Sequence, residues 1–327
     1  MKRAATIAAI GLATAAVLAR PMHYEVDGLS MGPGLLPGDI VTTGLFPAAD
    51  RLRRPRRFDR WILAAADGSP AIKRVVGLPG EAVSILEGDL AIDGRPLLTP
   101  PQILAETASA VPEAVPVPPR DTHESAAWQR TFTLPIVLDD AAFAPEERRV
   151  LLPVRDVGLA ATIHVSQPPS GSTSARVIVC VGDRLVPWRF QAAGRYAVVA
   201  GRLDGHLVGV AWPIATDHHW PAGSRSCLPR QPPASWDLAT LWPDNAERTT
   251  DSMPTSLALR VTATAVIQSV IIWRDILQRP AADGITQWQL GPDTFFVLGD
   301  FPAGSRDSRH WGPLSRDQLK NRGQSAH

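Results

Sequence analysis

Ten residues, Ser30 to Asp39, contain three glycines and two prolines. Proline removes a backbone donor and glycine costs backbone entropy, so this run makes a rigid turn and no regular helix. An extended-looking stretch, Tyr24 to Leu29, leads into it, and Ile40-Val41-Thr42-Thr43 leads out as a short β-branched strand. The turn holds one serine, Ser30, where both its hydroxyl and its N–H can meet whatever docks beside it. A serine in a Gly/Pro loop is ordinary taken alone. Two later stretches change its meaning.

At 327 residues the chain is long enough for two domains with real cores. Lys+Arg 33 against Asp+Glu 32 leaves a net charge of +1, so no global field argues for a nucleic-acid partner. The 31 prolines and the scarcity of helix-periodic stretches favour a β-rich, loop-rich protein. Cys180 and Cys227 match no metal-ligand spacing; a disulfide in an oxidising compartment and two free thiols both remain open. Asp217-His218-His219 lacks a further ligand at a fixed offset and reads as a surface polar cluster.

The N-terminus opens Met1-Lys2-Arg3 and continues with an uncharged, alanine-rich run, Ala4 to Ala19. As a helix, sixteen residues span only ~24 Å against a hydrocarbon core of ~30 Å. A retained single anchor is the expectation, and a secretory signal with Ala13-Thr14-Ala15 as its small-x-small cleavage site is the competing reading. Under either, the basic flank leaves Ser30 on the extracytoplasmic side of the cell membrane.

Further along, Arg51, Arg53, Arg54, Arg56, Arg57 and Arg60 form a basic patch, read as a solvated loop that anionic head groups could also attract. Strand-like character returns at Trp61-Ile62-Leu63-Ala64 and in Ala71 to Gly77, where Lys73 stands among Ile72, Val75 and Val76. A lysine there either snorkels to the surface or is desolvated for a purpose. Val83 to Leu97 reads as two short strands. The prolines at 100, 101, 112, 116, 118 and 119 mark a stiff connector. Short β-like runs then recur, separated by turns at Gly182-Asp183 and Asp204-Gly205, as in a sandwich. Leu257 to Leu277 fits a strand pair or a helix, and periodicity does not choose between them. Near the end, the apolar run Phe295 to Leu298 enters a loop dense in Asp, Ser and Arg.

Three stretches in this order resemble bacterial type I signal peptidases, the membrane-anchored serine proteases that remove signal peptides. The first is Val26-Asp27-Gly28-Leu29-Ser30-Met31-Gly32-Pro33 with the trailing Gly38-Asp39; the second is Lys73-Arg74-Val75-Val76-Gly77-Leu78-Pro79-Gly80-Glu81. The third is Gly299-Asp300 followed by Ser305-x-Asp307-Ser308-Arg309-x-Trp311-Gly312. The resemblance covers about residues 21–100 and 290–320, and not the region between.

The resemblance implies that Ser30 is the nucleophile, Lys73 its general base and Ser305 the serine that orients the lysine. It pairs Arg74 with Asp300 and Asp307 with Arg309, and puts Met31 in the substrate cleft. It implies no metal and no cofactor. The Ser30 N–H would be one oxyanion donor, while the position where some members add a second hydroxyl is Gly28. Elementary chemistry fits these roles: a serine hydroxyl needs a base, and a lysine near pKa ~10.4 must be held neutral to act as one. Burial among Ile72, Val75 and Val76 would do that, whereas a carboxylate beside Lys73 would undo it. Asp300 and Asp307 are therefore expected to face the arginines.

The chain departs from the family at Phe301-Pro302, where Asn-Arg is usual, and at Gly34, where threonine is usual. A catalytically degenerate, membrane-tethered binding protein and a narrow-specificity processing peptidase of the same family are the alternatives. The expected fold is mostly β: a signal-peptidase-like catalytic domain, a large inserted β-rich domain and one N-terminal membrane segment. Residues 1–20 would be the anchor or signal-like segment and 101–120 the Pro-rich linker. Residues 121–285 would be the insertion, with 21–100 and 286–327 forming the catalytic domain. The expected activity is cleavage of signal peptides from exported preproteins after small-x-small motifs, at the lipid bilayer.

Overall fold

Alternating inward and outward side chains make Trp61-Ile62-Leu63 a strand with two different apolar faces. In the computed structural model it does pack on both sides. The structure describes residues 21–44, 50, 52–65, 68–111, 115–117, 128–133, 138–140, 151–166, 174–215, 228, 232–236, 238–241, 256–262 and 264–325. The chain is mostly β, and it divides into two compact units, Met1–Arg95 with Gln278–His327, and Pro96–Leu277.

The split unit is built on a five-stranded sheet in the order Leu314–Ser315, Thr294–Leu298, Pro70–Gly77, Arg60–Ala64, Leu319–Arg322. All its neighbours are antiparallel. One core gathers Trp61, Leu63, Val75, Phe295, Val297 and Leu319. A second, with Ile62, joins Val26, Met31, Leu35 and Val41. This second core ties the serine turn to the sheet, and the strands His23–Glu25 and Ile40–Thr42 on either side of the turn pair with each other. Arginines of the basic patch are engaged: Arg57 pairs with Glu81 at 2.5 Å and donates to the Val76 carbonyl, and Arg53 lies 3.8 Å from the Asp50 carboxylate.

The inserted unit stacks two antiparallel sheets. One runs Arg184–Phe190, Ala175–Val181, Ser256–Val261, Trp128–Thr133, Val115–Val117. The other runs Leu238–Leu241, His206–Ile214, Gly194–Leu203, Val157–Val165, Ala265–Arg274, Ser109–Ala110. Between them lies a core that includes Leu159, Ile163, Val177, Val179, Val198 and Leu259. The turn at Asp204-Gly205 has φ of 49° and 75°, the two left-handed positions that a tight hairpin needs and that Asp-Gly supplies. The ambiguous stretch Leu257 to Leu277 is strand, in two pieces on different sheets, because β-branched residues dominate it.

The stiff linker expected at 101–120 differs from what is observed. Residues Pro101–Thr107 form a helix, α1, started by a proline at its first position. Its Leu104 is fully buried with Leu203, Val208, Val210 and Trp273 on the far side of the six-stranded sheet. Ser109–Ala110 then pairs with Trp273–Arg274. Prolines 112, 118 and 119 lie outside the described residues, as do the expected membrane segment, Asp217-His218-His219 and Cys227. Among the described residues no helix is long and apolar enough to cross a membrane, and Cys180 is a buried free thiol.

Leu104 therefore tests whether α1 is structural. Leu104→Ala should destabilise the protein by about 2–5 kcal/mol in denaturant unfolding, the usual cost of a cavity in a closed core. A residue in a solvated linker would change stability by about 0.5 kcal/mol or less.

Candidate active site

Ser30 projects from the turn toward the Pro70–Gly77 strand, and Lys73 of that strand meets it. The Lys73 Nζ lies 2.8 Å from Ser30 Oγ and donates to the Ile72 carbonyl at 3.0 Å. Only 4% of Lys73 is exposed, which rules out the snorkelling alternative. Burial lowers its pKa; the charges of Asp307 and Asp300 push the other way, and Arg309 adds to the lowering. The turn is tied down by its own backbone and by Asp39, whose carboxylate accepts from the Leu36 N–H at 2.8 Å. Across from it, the Phe301 N–H donates to the Ser30 carbonyl at 3.0 Å. Among the described residues this bond joins the first box to the third.

Each carboxylate near the lysine has an arginine of its own. Arg74 grips Asp300 through two parallel bonds, Nε to Oδ1 at 2.8 Å and Nη2 to Oδ2 at 2.6 Å, and reaches the Phe58 carbonyl with Nη1. Arg309 grips Asp307 the same way at 2.8 and 2.7 Å. All four residues are buried. Two parallel N–H···O bonds fix both partners in a plane, which a lysine could not do.

Asp307 also accepts from the Gly299 N–H at 3.0 Å and the Arg309 N–H at 3.2 Å, capping the short helix Ser308–Trp311, α2. Burial alone would raise its pKa. Side-chain contacts with His310 and Arg309, the Arg309 charge and the Gly299 N–H outweigh that and hold it well below the usual carboxylate range.

Two assigned roles need correction. Ser305 is buried beside the site, but its hydroxyl donates to Asp307 Oδ2 at 2.8 Å, and the Lys73 amine bonds Ser30 and Ile72 instead. A carboxylate is the stronger acceptor, so the hydroxyl turns to it. Met31, expected in the cleft, is fully buried with Leu35 and Val41. The cleft itself is a cavity of about 200 Å³ with Ser30 and Lys73 on its wall and Val26, Val41, Ile62 and Ile72 as apolar lining.

Sequence reasoning placed Gly299 and Ser308 in the third box without giving either a role, and it did not name His310. A Cβ on Gly299 would run into Ser305 Oγ and the Ser30 carbonyl oxygen, so only glycine lets the third box close on the serine. Ser308 Oγ accepts from the Val297 N–H at 3.0 Å, and His310 Nδ1 accepts from the Asp307 N–H at 3.3 Å. Their signal was their place inside a charged run after an apolar strand, which shows a tight loop without showing its bonds.

The site thus presents a hydroxyl on a buried amine, beside a cavity with apolar lining, and the two carboxylates whose charge acts on the amine, Asp300 and Asp307, are each bound to an arginine. Residues 1–143 match the family described as signal peptidase, peptidase S26, and so include Ser30 and Lys73. The chain is also 32% identical over 79 residues to Signal peptidase I V of Bacillus subtilis (strain 168), covering 24% of this chain and 46% of that protein. It therefore spans about half the length of the curated relative it matches. The resemblance to type I signal peptidases is borne out, and the family match contains the first two of the three boxes.

Removing the Asp307 charge should move Lys73 in a direction set by these distances. Asp307→Asn deletes the larger of the two charges that raise the amine pKa, so the Lys73 pKa should fall further. The chain has only three lysines, Lys2, Lys73 and Lys320, so Nζ resonances can be followed by NMR against pH. The same change strands Arg309 in the interior and should cost about 3–5 kcal/mol of stability. An unchanged or raised Lys73 pKa in a folded variant would contradict the arrangement.

Proposed function

We propose that this protein is a type I signal peptidase that cuts exported preproteins with a Ser30/Lys73 pair. The observation that carries the reading is the 2.8 Å approach of Ser30 Oγ to an amine that is almost wholly buried. Similarity to the S26 family supports it from the sequence side.

In this reading the neutral Lys73 amine accepts the Ser30 proton as Oγ attacks the scissile carbonyl. The tetrahedral oxyanion forms beside the Ser30 N–H. Collapse expels the new N-terminus of the mature protein, which takes its proton from the Lys73 ammonium, and leaves the signal peptide esterified to Ser30. Water, deprotonated by the same amine, then hydrolyses the ester and restores both groups. Val26, Val41, Ile62 and Ile72 give the cavity beside Ser30 and Lys73 an apolar wall that suits an apolar side chain before the cut. No cofactor enters any step. The substrates are signal peptides, bound extended. The enzyme works at the cell membrane, with one N-terminal span and its catalytic part on the extracytoplasmic side.

The rate should rise with pH through the lowered Lys73 pKa and then level off, because only the neutral amine can take the proton. Ser30→Ala should abolish cleavage of a preprotein. Lys73→Met keeps the apolar stem and removes the base, with an expected loss of about 10²–10⁴-fold or more. Lys73→Arg separates the two possible uses of the charge. A guanidinium stays protonated, so a base is lost while an anion-binding cation is kept. A folded Lys73→Arg protein that cleaves at close to the wild-type rate would sink the mechanism.

A further inference from the structure

The outer face of the five-stranded sheet in the inserted unit carries three arginines that core packing does not explain. On the Ala175–Val181 strand, Val177 and Val179 face the core, leaving Arg176 and Ile178 outward. On Arg184–Phe190, Val186 and Phe190 face in, leaving Leu185, Pro187 and Arg189 outward. On Ser256–Val261, Leu257 and Leu259 face in and Arg260 faces out. Arg176 stands directly opposite Arg189, and Arg260 directly opposite Ile178, one diagonal step from Arg176. All three arginines are exposed. Among the described residues no carboxylate pairs with them, in contrast to Arg184, which has Asp183 at 3.6 Å.

Like charges directly opposed across two strands destabilise a sheet. Charged side chains do protect an edge strand from pairing with another chain, and that accounts for Arg189 on the edge. It does not account for Arg176 or Arg260, which lie on interior strands. The same face carries Ile178, Pro187 and Leu185, the last 56% exposed. A sheet face that mixes guanidinium groups with apolar side chains suits the boundary between water and acyl chains. There the cations meet phosphates and the apolar groups leave water.

We infer that this sheet face docks on a lipid bilayer carrying anionic phospholipid, through Arg176, Arg189 and Arg260 around an exposed Leu185. This contact is separate from any N-terminal span and from the peptidase site, and it gives the inserted unit a function of its own.

The full chain can be tested in nanodiscs with Leu185→Cys carrying an environment-sensitive fluorophore, in a Cys180→Ser/Cys227→Ser background. Discs of phosphatidylcholine alone are compared with discs in which one lipid in three is phosphatidylglycerol. The fluorophore should shift to the blue only in the anionic discs, and high salt should reverse the shift by screening. Replacing all three arginines with glutamine should weaken the contact by about two orders of magnitude and remove the shift. Arg189→Gln alone should raise the melting temperature, because it relieves the cross-strand repulsion. Equal emission in both kinds of disc, or a shift that survives the triple substitution, would overturn the inference. So would a shift produced by an acidic polypeptide and not by anionic lipid. A fall in melting temperature for Arg189→Gln would mean the arginines are structurally paired, and it would overturn the inference as well. Cleavage of a soluble peptide should be unaffected throughout; if it fails in the wild-type protein, the peptidase reading falls while this one stands.

Discussion

Everything around the serine follows from burying one lysine. An ammonium taken out of water without a partner is costly, so a buried lysine gives up its proton more readily. The fold buries Lys73 to 4% exposure and leaves Ser30 and a backbone carbonyl as its hydrogen-bond partners. The low pKa is therefore maintained by the packing of the Pro70–Gly77 strand. Any group that brought net negative charge to the amine would work against it.

The two ion pairs meet that condition. Asp300 and Asp307 both sit close enough to raise the lysine pKa, and each is gripped in parallel by an arginine that offsets part of its field. A buried ion pair is weak evidence for stability, since desolvation consumes much of the attraction. Its value here is geometric. The Asp307 carboxylate collects the Gly299 N–H, the Ser305 hydroxyl and the Arg309 guanidinium in one place, which fixes the loop that covers the lysine. Ser305 so acts on the site through Asp307.

The sequence showed which residues converge and which arginine each aspartate takes, but not where the Ser305 hydroxyl goes. The three boxes were legible because glycine, proline and charge occur where ordinary strands do not tolerate them. The hairpin at Asp204-Gly205 was legible for the same reason: few residues accept its backbone angles. The partner of Ser305 was not, because two acceptors compete for one hydroxyl and only coordinates decide between them. Met31 was misplaced because a residue beside the nucleophile can face the cleft or the core. Here Leu35 and Val41 draw it inward. Helix α1 was hidden by its prolines, which read as breakers although a proline at the first turn helps a helix begin. Leu257 to Leu277 stayed undecided because short apolar runs fit both periods.

The departure at Phe301-Pro302 shows why a site can survive a change in its motif. What the structure uses at these positions is main chain: the Phe301 N–H holds the Ser30 carbonyl, and the Pro302 carbonyl accepts from Arg309 at 2.9 Å. Proline has no N–H to give, but none is asked of it at 302, and phenylalanine keeps the one that 301 must supply. The order matters. A proline at 301 would leave the serine turn without its bond to the third box, whereas one at 302 costs nothing in hydrogen bonding. Side chains at both positions are then free to differ so long as Gly299, Asp307 and Arg309 keep the loop closed. The constraint on this site lies in its backbone and its buried charges, which explains how the departure is compatible with an intact Ser30–Lys73 contact.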